Sequence, residues 1–252
     1  MVDVGLFLVG IIVGVMNAIA GGGMLVGFPV LLAAGLPALA ANVTANIVVL
    51  PTQLSSALGY WKYLRKLPRH YLWLLVPCIV GATIGALVLR NTSSTRFNEI
   101  VPGLILVAVA LFAFQPIIKL HLDRIATTKN ISTRPLLYIA VLLLPMSVYG
   151  GYFGAGFGFV MLALLSFSNL RDMHQMNGLK NLAAVGIAAA SIACLFNTGL
   201  IDWHRGLVMA AGGTVGGYGG SRIAQKVSSR GLRITVIVIG TVTTLYLALR
   251  TY

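Results

Sequence analysis

Two pairs of asparagines are the residues of this chain whose type and spacing best suit the binding of a small solute. Asn42 and Asn46 are four positions apart, and Asn177 and Asn181 repeat that spacing. Side chains at this spacing share one face of a helix. An amide can donate to an oxyanion without carrying a charge, so four converging amides would bind an anion weakly enough to release it. The alternative is a structural role, because a polar contact between membrane helices contributes about 0.6 to 2 kcal/mol.

Two glycine clusters mark positions where a helix is expected to break. Glycine costs roughly 1 kcal/mol relative to alanine inside a helix, and a break frees backbone N–H groups that bind anions together with the positive end of the helix dipole. The alternative is close helix packing, which we assign to the spaced glycine pairs 10/14, 81/85 and 216/220. The predicted break residues are Gly21, Gly22, Gly23, Gly154, Ala155 and Gly156.

Lys180 is a charged residue inside the second asparagine pair. A charge one turn into a membrane span is costly unless it is paired, reaches the interface or is used. Two interpretations stay open: the side chain snorkels to the cytoplasmic surface, or it is a countercharge for an anion. His174 is either an interfacial residue or a group that titrates near neutral pH and helps to couple protons.

The candidate binding residues combine the two breaks, the four amides and the lysine. They are Gly21, Gly22, Gly23, Asn42, Asn46, Gly154, Ala155, Gly156, Asn177, Lys180 and Asn181. Weaker members of the same set are Thr44, Gln53, Gln175 and Ser191. We predict no catalytic residue, no metal ligand and no cofactor.

The elements that position these residues are expected to be membrane helices. Hydrophobic residues make up 58% of the chain and charged residues only 9%, which leaves too little polar surface for a soluble globule. Two short apolar stretches, 24–36 and 157–168, follow the glycine clusters and predict half-helices or re-entrant segments. We predict an all-α polytopic membrane protein with about eight spans of about 20 residues each. These spans are 4–20, 39–60, 71–89, 99–118, 135–153, 174–198, 204–225 and 232–249.

The chain contains an internal repeat. Moving 135 positions along the chain carries Asn42 onto Asn177 and Gly81 onto Gly216, and a slightly shorter offset relates the two glycine clusters. This predicts two transmembrane repeats, 1–118 and 135–252, joined by a cytoplasmic linker at 119–134. Each half has an odd number of crossings, so the second repeat is expected to be inverted, with the binding site at the repeat interface.

Basic residues indicate the orientation. Although the net charge of +13 would suggest nucleic acid as the partner of a soluble protein, most Lys and Arg lie in short loops beside spans. Such loops are typically cytoplasmic, and they include 62–69, 119–134 and 222–233. We therefore predict a bacterial-type inner membrane protein with both termini outside, the lipid bilayer as its surroundings and no nucleic-acid partner. A homodimer is left open.

The chain resembles the TauE/SafE family of sulfite and organosulfonate exporters. The resemblance is carried by the run from Gly21 to Pro29, by the run from Ala41 to Asn46, and by the repeat of both elements in the second half. It implies a multi-span inner-membrane transporter of small sulfur-containing anions such as sulfite, sulfoacetate or related sulfonates. The second half departs from the first at Leu162, where Pro29 stands in the first half, and at Lys180, where a small residue stands.

Other function classes remain to be separated. The acidic residues all lie at termini, loops or span edges, and neither a His-Glu-x-x-His nor a Gly-x-Ser-x-Gly motif occurs, so the sequence does not suggest an enzyme. A cation or metal transporter is the main alternative, although cation sites in membranes usually use carboxylates. A non-transporting membrane assembly factor is the other, and it would need neither matched glycine breaks nor matched amides.

Overall fold

A computed structural model describes residues 2–19, 21–110, 135–168 and 170–224. Within these ranges every regular element is a helix and no strand occurs. The protein is an all-α polytopic membrane protein, as predicted. The end of the expected span 99–118, the linker at 119–134 and the last expected span, 232–249, lie outside the described residues.

The first half begins with a long helix, a short helix and a second long helix. These are α1 (Val2–Ile19), α2 (Met24–Ala33) and α3 (Ala38–Gly59). After them come α4 (Trp61–Leu64), a 3-10 turn (Arg69–Leu74), α5 (Leu75–Arg90) and the helical residues 94–110, here α6.

The second half repeats this order of long and short helices. It contains α7 (Pro135–Tyr152), α8 (Phe157–Leu165), α9 (Met173–Leu195), a 3-10 turn (Phe196–Thr198) and α10 (Trp203–Ile223).

Three helical segments are long and apolar enough to cross a membrane by themselves. They are Val2–Ile19, Arg69–Arg90 and Met173–Thr198. Met24–Ala33 and Leu136–Tyr152 are shorter apolar helices. At 22 and 21 residues, α3 and α10 have sufficient length, but α3 carries amides and hydroxyls and α10 carries a run of glycines, which lowers their mean hydropathy.

Glycines bring the first helix of each half against the third long helix of the other half. Between α1 and α10, a Cβ added at Gly14 would lie 2.5 Å from the Gly217 nitrogen. Between α5 and α7, a Cβ added at Gly81 would lie 2.5 Å from the Leu144 oxygen. The spaced glycine pairs therefore serve close helix packing, as predicted, and they do so at two corresponding crossings.

The contacts also give the relative directions of the helices. A Cβ added at Gly23, just before α2, would lie 2.5 Å from the Val13 oxygen and 2.7 Å from the Asn17 Cγ atom, and one at Gly27 would lie 3.4 Å from the Val13 Cγ2 atom, so α2 folds back against α1. Tyr60, at the end of α3, packs on Gly178, near the start of α9. The end of α3 therefore lies beside the start of α9. These two helices occupy corresponding places in the two halves and run in opposite directions across the bundle.

Candidate functional site

Both predicted glycine breaks are present. Between α1 and α2, Gly21 has φ +82°, and between α7 and α8, Gly154 has φ +82° as well. Each donates its backbone N–H to a carbonyl five residues earlier, Gly21 to Met16 at 3.0 Å and Gly154 to Tyr149 at 3.2 Å. These left-handed conformations end the preceding helices and favour glycine, so the repeat is reproduced in backbone geometry.

The first break contacts the start of α8. A Cβ added at Gly21 would lie 2.7 Å from the Cα atom of Gly158, and one added at Gly158 would lie 2.7 Å from the Cα atom of Gly21. Real Cβ atoms do not approach other atoms so closely, so the contact requires two residues without side chains. The two halves therefore meet backbone to backbone at a buried point of the described bundle.

A cavity of about 40 Å³ lies beside this contact. That volume is several times the roughly 10–15 Å³ needed for one water, so a small solute fits. Most of its lining consists of positions that correspond in the two halves, with an offset of 133 around the breaks and 135 along α3 and α9. These pairs are Asn17 with Gly150, Gly21 with Gly154, Met24 with Phe157, Val49 with Ala184, and Gln53 with Ala188.

The polar side chains of the cavity come from the first half. Asn17, Asn46 and Gln53 line it, whereas α9 contributes only apolar side chains such as Ile187 and Ala188. Gln53 is buried and its Oε1 has no protein partner among the described residues. Asn46 donates from Nδ2 to the Asn42 carbonyl at 3.2 Å. The first half thus supplies the polar side chains of the lining, and the side chains from α9 are apolar.

Asn17 joins the cavity to the first break. Its Oδ1 accepts from the Gly23 backbone N–H at 2.9 Å, which orients the side-chain amide and leaves Nδ2 without a partner in the described part of the chain. The residue is 2% exposed. A buried amide donor with no protein partner, at the edge of a cavity, is suited to an acceptor atom of a ligand.

The four predicted amides do not all reach this cavity; of them, Asn46 lines it. Asn42 donates to the Tyr152 carbonyl at 2.9 Å, because the end of α7 offers a carbonyl without a helical partner. Asn177 donates to the Met173 carbonyl of its own helix at 3.1 Å. Asn181 is fully buried, and neither amide atom has a partner in the described residues. The expected convergence of four amides is therefore corrected to a site with amides mainly from the first half.

Lys180 does not snorkel. Its side chain is 0% exposed, and Nζ donates to the carbonyl oxygens of Asn17 at 2.8 Å and Ala18 at 3.4 Å. These carbonyls belong to the last turn of α1, where helical acceptors lack partners and the negative end of the dipole favours a cation. The snorkelling interpretation is wrong because α1 ends within reach of the ammonium group.

The remaining break residues shape the backbone around the site. Gly23 and Gly156 precede the first residues of α2 and α8, and Gly156 has φ +85°. Gly22 lies between the turn at Gly21 and α2. Ala155 is 1% exposed and packs in the apolar core.

Asn17 is the site residue that the repeat could not indicate. It stands alone, since Gly150 occupies the corresponding place in the second half. The sequence signal that could have indicated Asn17 is its place as a polar residue in an apolar stretch, just before a glycine cluster. Gln53, a weaker candidate, lines the cavity, whereas Thr44 accepts a hydrogen bond from the Asp202 backbone N–H at 3.0 Å and has a structural role.

Two further observations complete the geometry. An open depression of about 760 Å³, lined by residues that include Asn91, Arg96 and Tyr152, contains none of the predicted site residues. Among the described residues, no group of three His, Cys, Asp or Glu side chains could hold a metal ion.

Comparison with known proteins places this arrangement in a family. The model of the sulfite exporter TauE/SafE family matches residues 6–247, which include both glycine breaks and both asparagine pairs. The chain belongs to the TauE/SafE family. It is a multi-pass membrane transporter.

Two relatives of this TauE/SafE member carry transporter names. A "Probable membrane transporter protein" of Haemophilus influenzae is 28% identical over 242 residues, covering 93% of this chain and 89% of the relative. A "Probable membrane transporter protein ORF9" of Sinorhizobium sp is 24% identical over 236 residues, covering 93% of this chain and 87% of the relative. No solved structure matches the chain.

Proposed function

We propose that the protein is a secondary transporter that exports small sulfur-containing anions, such as sulfite or related sulfonates, by alternating access through the central cavity. The observation that carries this proposal is a cavity lined by corresponding positions of the two halves, with polar groups on one side. The family name supports the substrate class. A site between structural repeats is also where many secondary transporters bind their substrates.

The polar groups favour negative charge. No acidic side chain lines the cavity, and Asn17 offers an amide donor without a protein partner. The short helices α2 and α8 begin beside the cavity with their positive dipole ends. Cation sites in membrane proteins usually rely on carboxylates or rings of carbonyls, so this lining supports an anion as the transported solute.

The size of the cavity favours a compact anion. At about 40 Å³ it has room for a few atoms, which suits sulfite better than a sulfonate with a carbon chain. A longer sulfonate such as sulfoacetate requires the apolar side chains around Phe153 and Ile187 to move apart. We expect sulfite to bind more tightly than sulfoacetate.

We also propose that the two halves are inverted repeats, with the basic end of the bundle in the cytoplasm. Opposite directions of α3 and α9 support the inversion. The Tyr63 and His174 rings lie 4.6 Å apart, which places the basic loop after α3 beside the start of α9, while Asp3 and His204 meet at 3.1 Å. In a Cys78- and Cys194-free background, Ser94→Cys and Thr127→Cys should label from opposite sides with an impermeant maleimide. Labelling of both from one side would disprove the inversion.

The transport proposal is tested by flux in proteoliposomes. Wild-type protein should exchange labelled sulfite, and unlabelled sulfite should compete better than sulfoacetate. Asn46→Ala should lose this exchange while still inserting into the membrane, because it removes a polar group from the cavity lining. Transport of a divalent metal ion with no anion exchange would instead favour the cation alternative, and no transport of either would favour an assembly role.

A further inference from the structure

We infer that Lys180 selects for a charged solute, by exchanging its bonds to the end of α1 for a bond to the anion. The inference rests on the proposed function, since it requires an anion in the central cavity. In this role Lys180, which has Ala45 as its counterpart in the first half, determines specificity. The breaking of its hydrogen bonds to α1 becomes part of substrate recognition.

The first observation is an uncompensated buried charge. Lys180 is 0% exposed, and its partners are the neutral carbonyls of Asn17 and Ala18. Salt bridges between described residues join His204 with Asp3 and Arg205 with Asp202; Lys180 is in neither. An ammonium ion removed from water is stabilised far better by an opposite charge than by carbonyl dipoles alone. The site therefore has one positive charge for which an anionic ligand is the natural partner.

The second observation is the position of this charge beside the cavity. Asn17 accepts from Nζ through its backbone oxygen and lines the cavity with its side chain. Gly158 lines the cavity too, and a Cβ there would lie 3.2 Å from the Lys180 Cδ atom. The lysine side chain thus lies directly behind Asn17 and Gly158, two residues of the cavity lining, and is not itself part of that lining. Because a lysine side chain is flexible, rotation of its outer torsions can move Nζ from the Asn17 carbonyl toward an anion held by the same residue.

The third observation concerns what Lys180 holds together. Its two hydrogen bonds join α9 to the last turn of α1, where Tyr60, at the end of α3, also donates to the Ala18 carbonyl at 3.4 Å. When the ammonium group turns to an anion, α1 loses its bonds to α9 and keeps the weaker one to Tyr60. A ligand shifts such an equilibrium only through its different affinity for the two states. An uncharged solute lacks that difference, so it leaves the connection in place.

The experiment is isothermal titration of the purified full chain with sulfite and with dimethyl sulfoxide, an uncharged compound with a similar pyramidal sulfur. Lys180→Gln keeps a donor for the α1 carbonyls and removes the charge. Lys180→Arg keeps the charge and serves as the matched control. The thermal midpoint of each variant without ligand reports whether the bundle is intact.

Wild type should bind sulfite and not dimethyl sulfoxide. Lys180→Gln should bind sulfite roughly 10- to 150-fold more weakly, the range of a charged hydrogen bond, while Lys180→Arg should stay well above Lys180→Gln in affinity. Equal affinity of wild type and Lys180→Gln would overturn the inference and leave the proposed function standing, as would an arginine variant as weak as the glutamine variant. Absence of binding of any anion to wild type would instead reject the proposed function itself.

Discussion

The two walls of the central cavity occupy corresponding positions of the two halves but differ in chemistry. Asn17 and Gln53 of the first half face the cavity where the second half has Gly150 and Ala188. The helix breaks, by contrast, match closely, with the same φ at Gly21 and Gly154. The repeat thus preserves the backbone geometry of the site, and the departures from the repeat supply its polarity.

The same contrast holds for the contacts that connect the halves. Asn42 of α3 donates to the last residue of α7, and Lys180 of α9 donates to the last turn of α1. In each half, the third helix therefore contacts the end of the first helix of the other half: α3 contacts α7, and α9 contacts α1. One donor is a neutral amide and the other is the amine of a buried lysine, so the two contacts occupy corresponding places and differ in chemistry.

The largest loss of transport and stability is expected when a residue of the second half is replaced by its counterpart from the first half. Gly158 corresponds to Leu25, and a side chain at 158 would overlap the Cα atom of Gly21. Gly158→Leu should abolish sulfite exchange in proteoliposomes and strongly lower the thermal midpoint, since backbone atoms cannot move aside cheaply. Gly103→Leu is the control, because a Cβ at Gly103 meets no atom within 4 Å. Normal exchange by the Gly158 variant would show that close contact between Gly21 and Gly158 is not required for transport.

An intermediate and equal effect is expected at the two corresponding helix crossings. A methyl group at Gly85 would overlap the Val148 carbonyl, and one at Gly216 would overlap the Ile11 carbonyl. Gly85→Ala and Gly216→Ala should each destabilise the protein by about 1–3 kcal/mol, the usual cost of overpacking. Gly219→Ala, with open space around it, should be neutral or slightly stabilising. Thermal unfolding in detergent measures the stability of all three variants. A clear loss of stability in only one of Gly85→Ala and Gly216→Ala would show that the two crossings are not equivalent.

The smallest effect is expected at the neutral contact between the halves. Asn42→Ala removes the bond to Tyr152 and should cost about 0.6 to 2 kcal/mol while leaving sulfite affinity unchanged. Asn177→Ala is the matched control, because its amide bonds within its own helix, and it should cost less. Thermal midpoint and titration together check this. A loss of affinity in Asn42→Ala without a loss of stability would place Asn42 in the binding site after all.

Much of the fold was predictable from the sequence because its signals are local. Within the described residues the apolar stretches matched the helices to within about five residues, and the glycine clusters ended α1 and α7 where expected. Each signal needs only composition and backbone preference. The last expected span lies outside the described residues, and the predicted inversion stays a proposal.

The site was predictable only in part, because it depends on where helix ends meet. Asn42 was expected in the cavity, but a free carbonyl at the end of α7 takes its donor. Lys180 was expected either at the interface or on the substrate, but the end of α1 lies beside it. Asn17 has no copy in the second half, so a search based on repetition could not select it. Sequence spacing shows which side chains share a helix face, and it does not show which partner from another helix reaches them first.

The central claim is that both sides of the membrane reach one anion site between the halves. It is tested most directly at Val49, an apolar residue of the cavity lining, by Val49→Cys in a Cys78- and Cys194-free background. An impermeant thiol reagent should label this cysteine from either side of the membrane. Sulfite should slow this labelling from both sides more than it slows labelling of Ser94→Cys or Thr127→Cys, which corrects for direct reaction of sulfite with the reagent, while dimethyl sulfoxide and a divalent metal ion have no such effect. Labelling of Val49→Cys that sulfite slows no more than it slows these two controls, or that only the metal ion slows, would contradict the account.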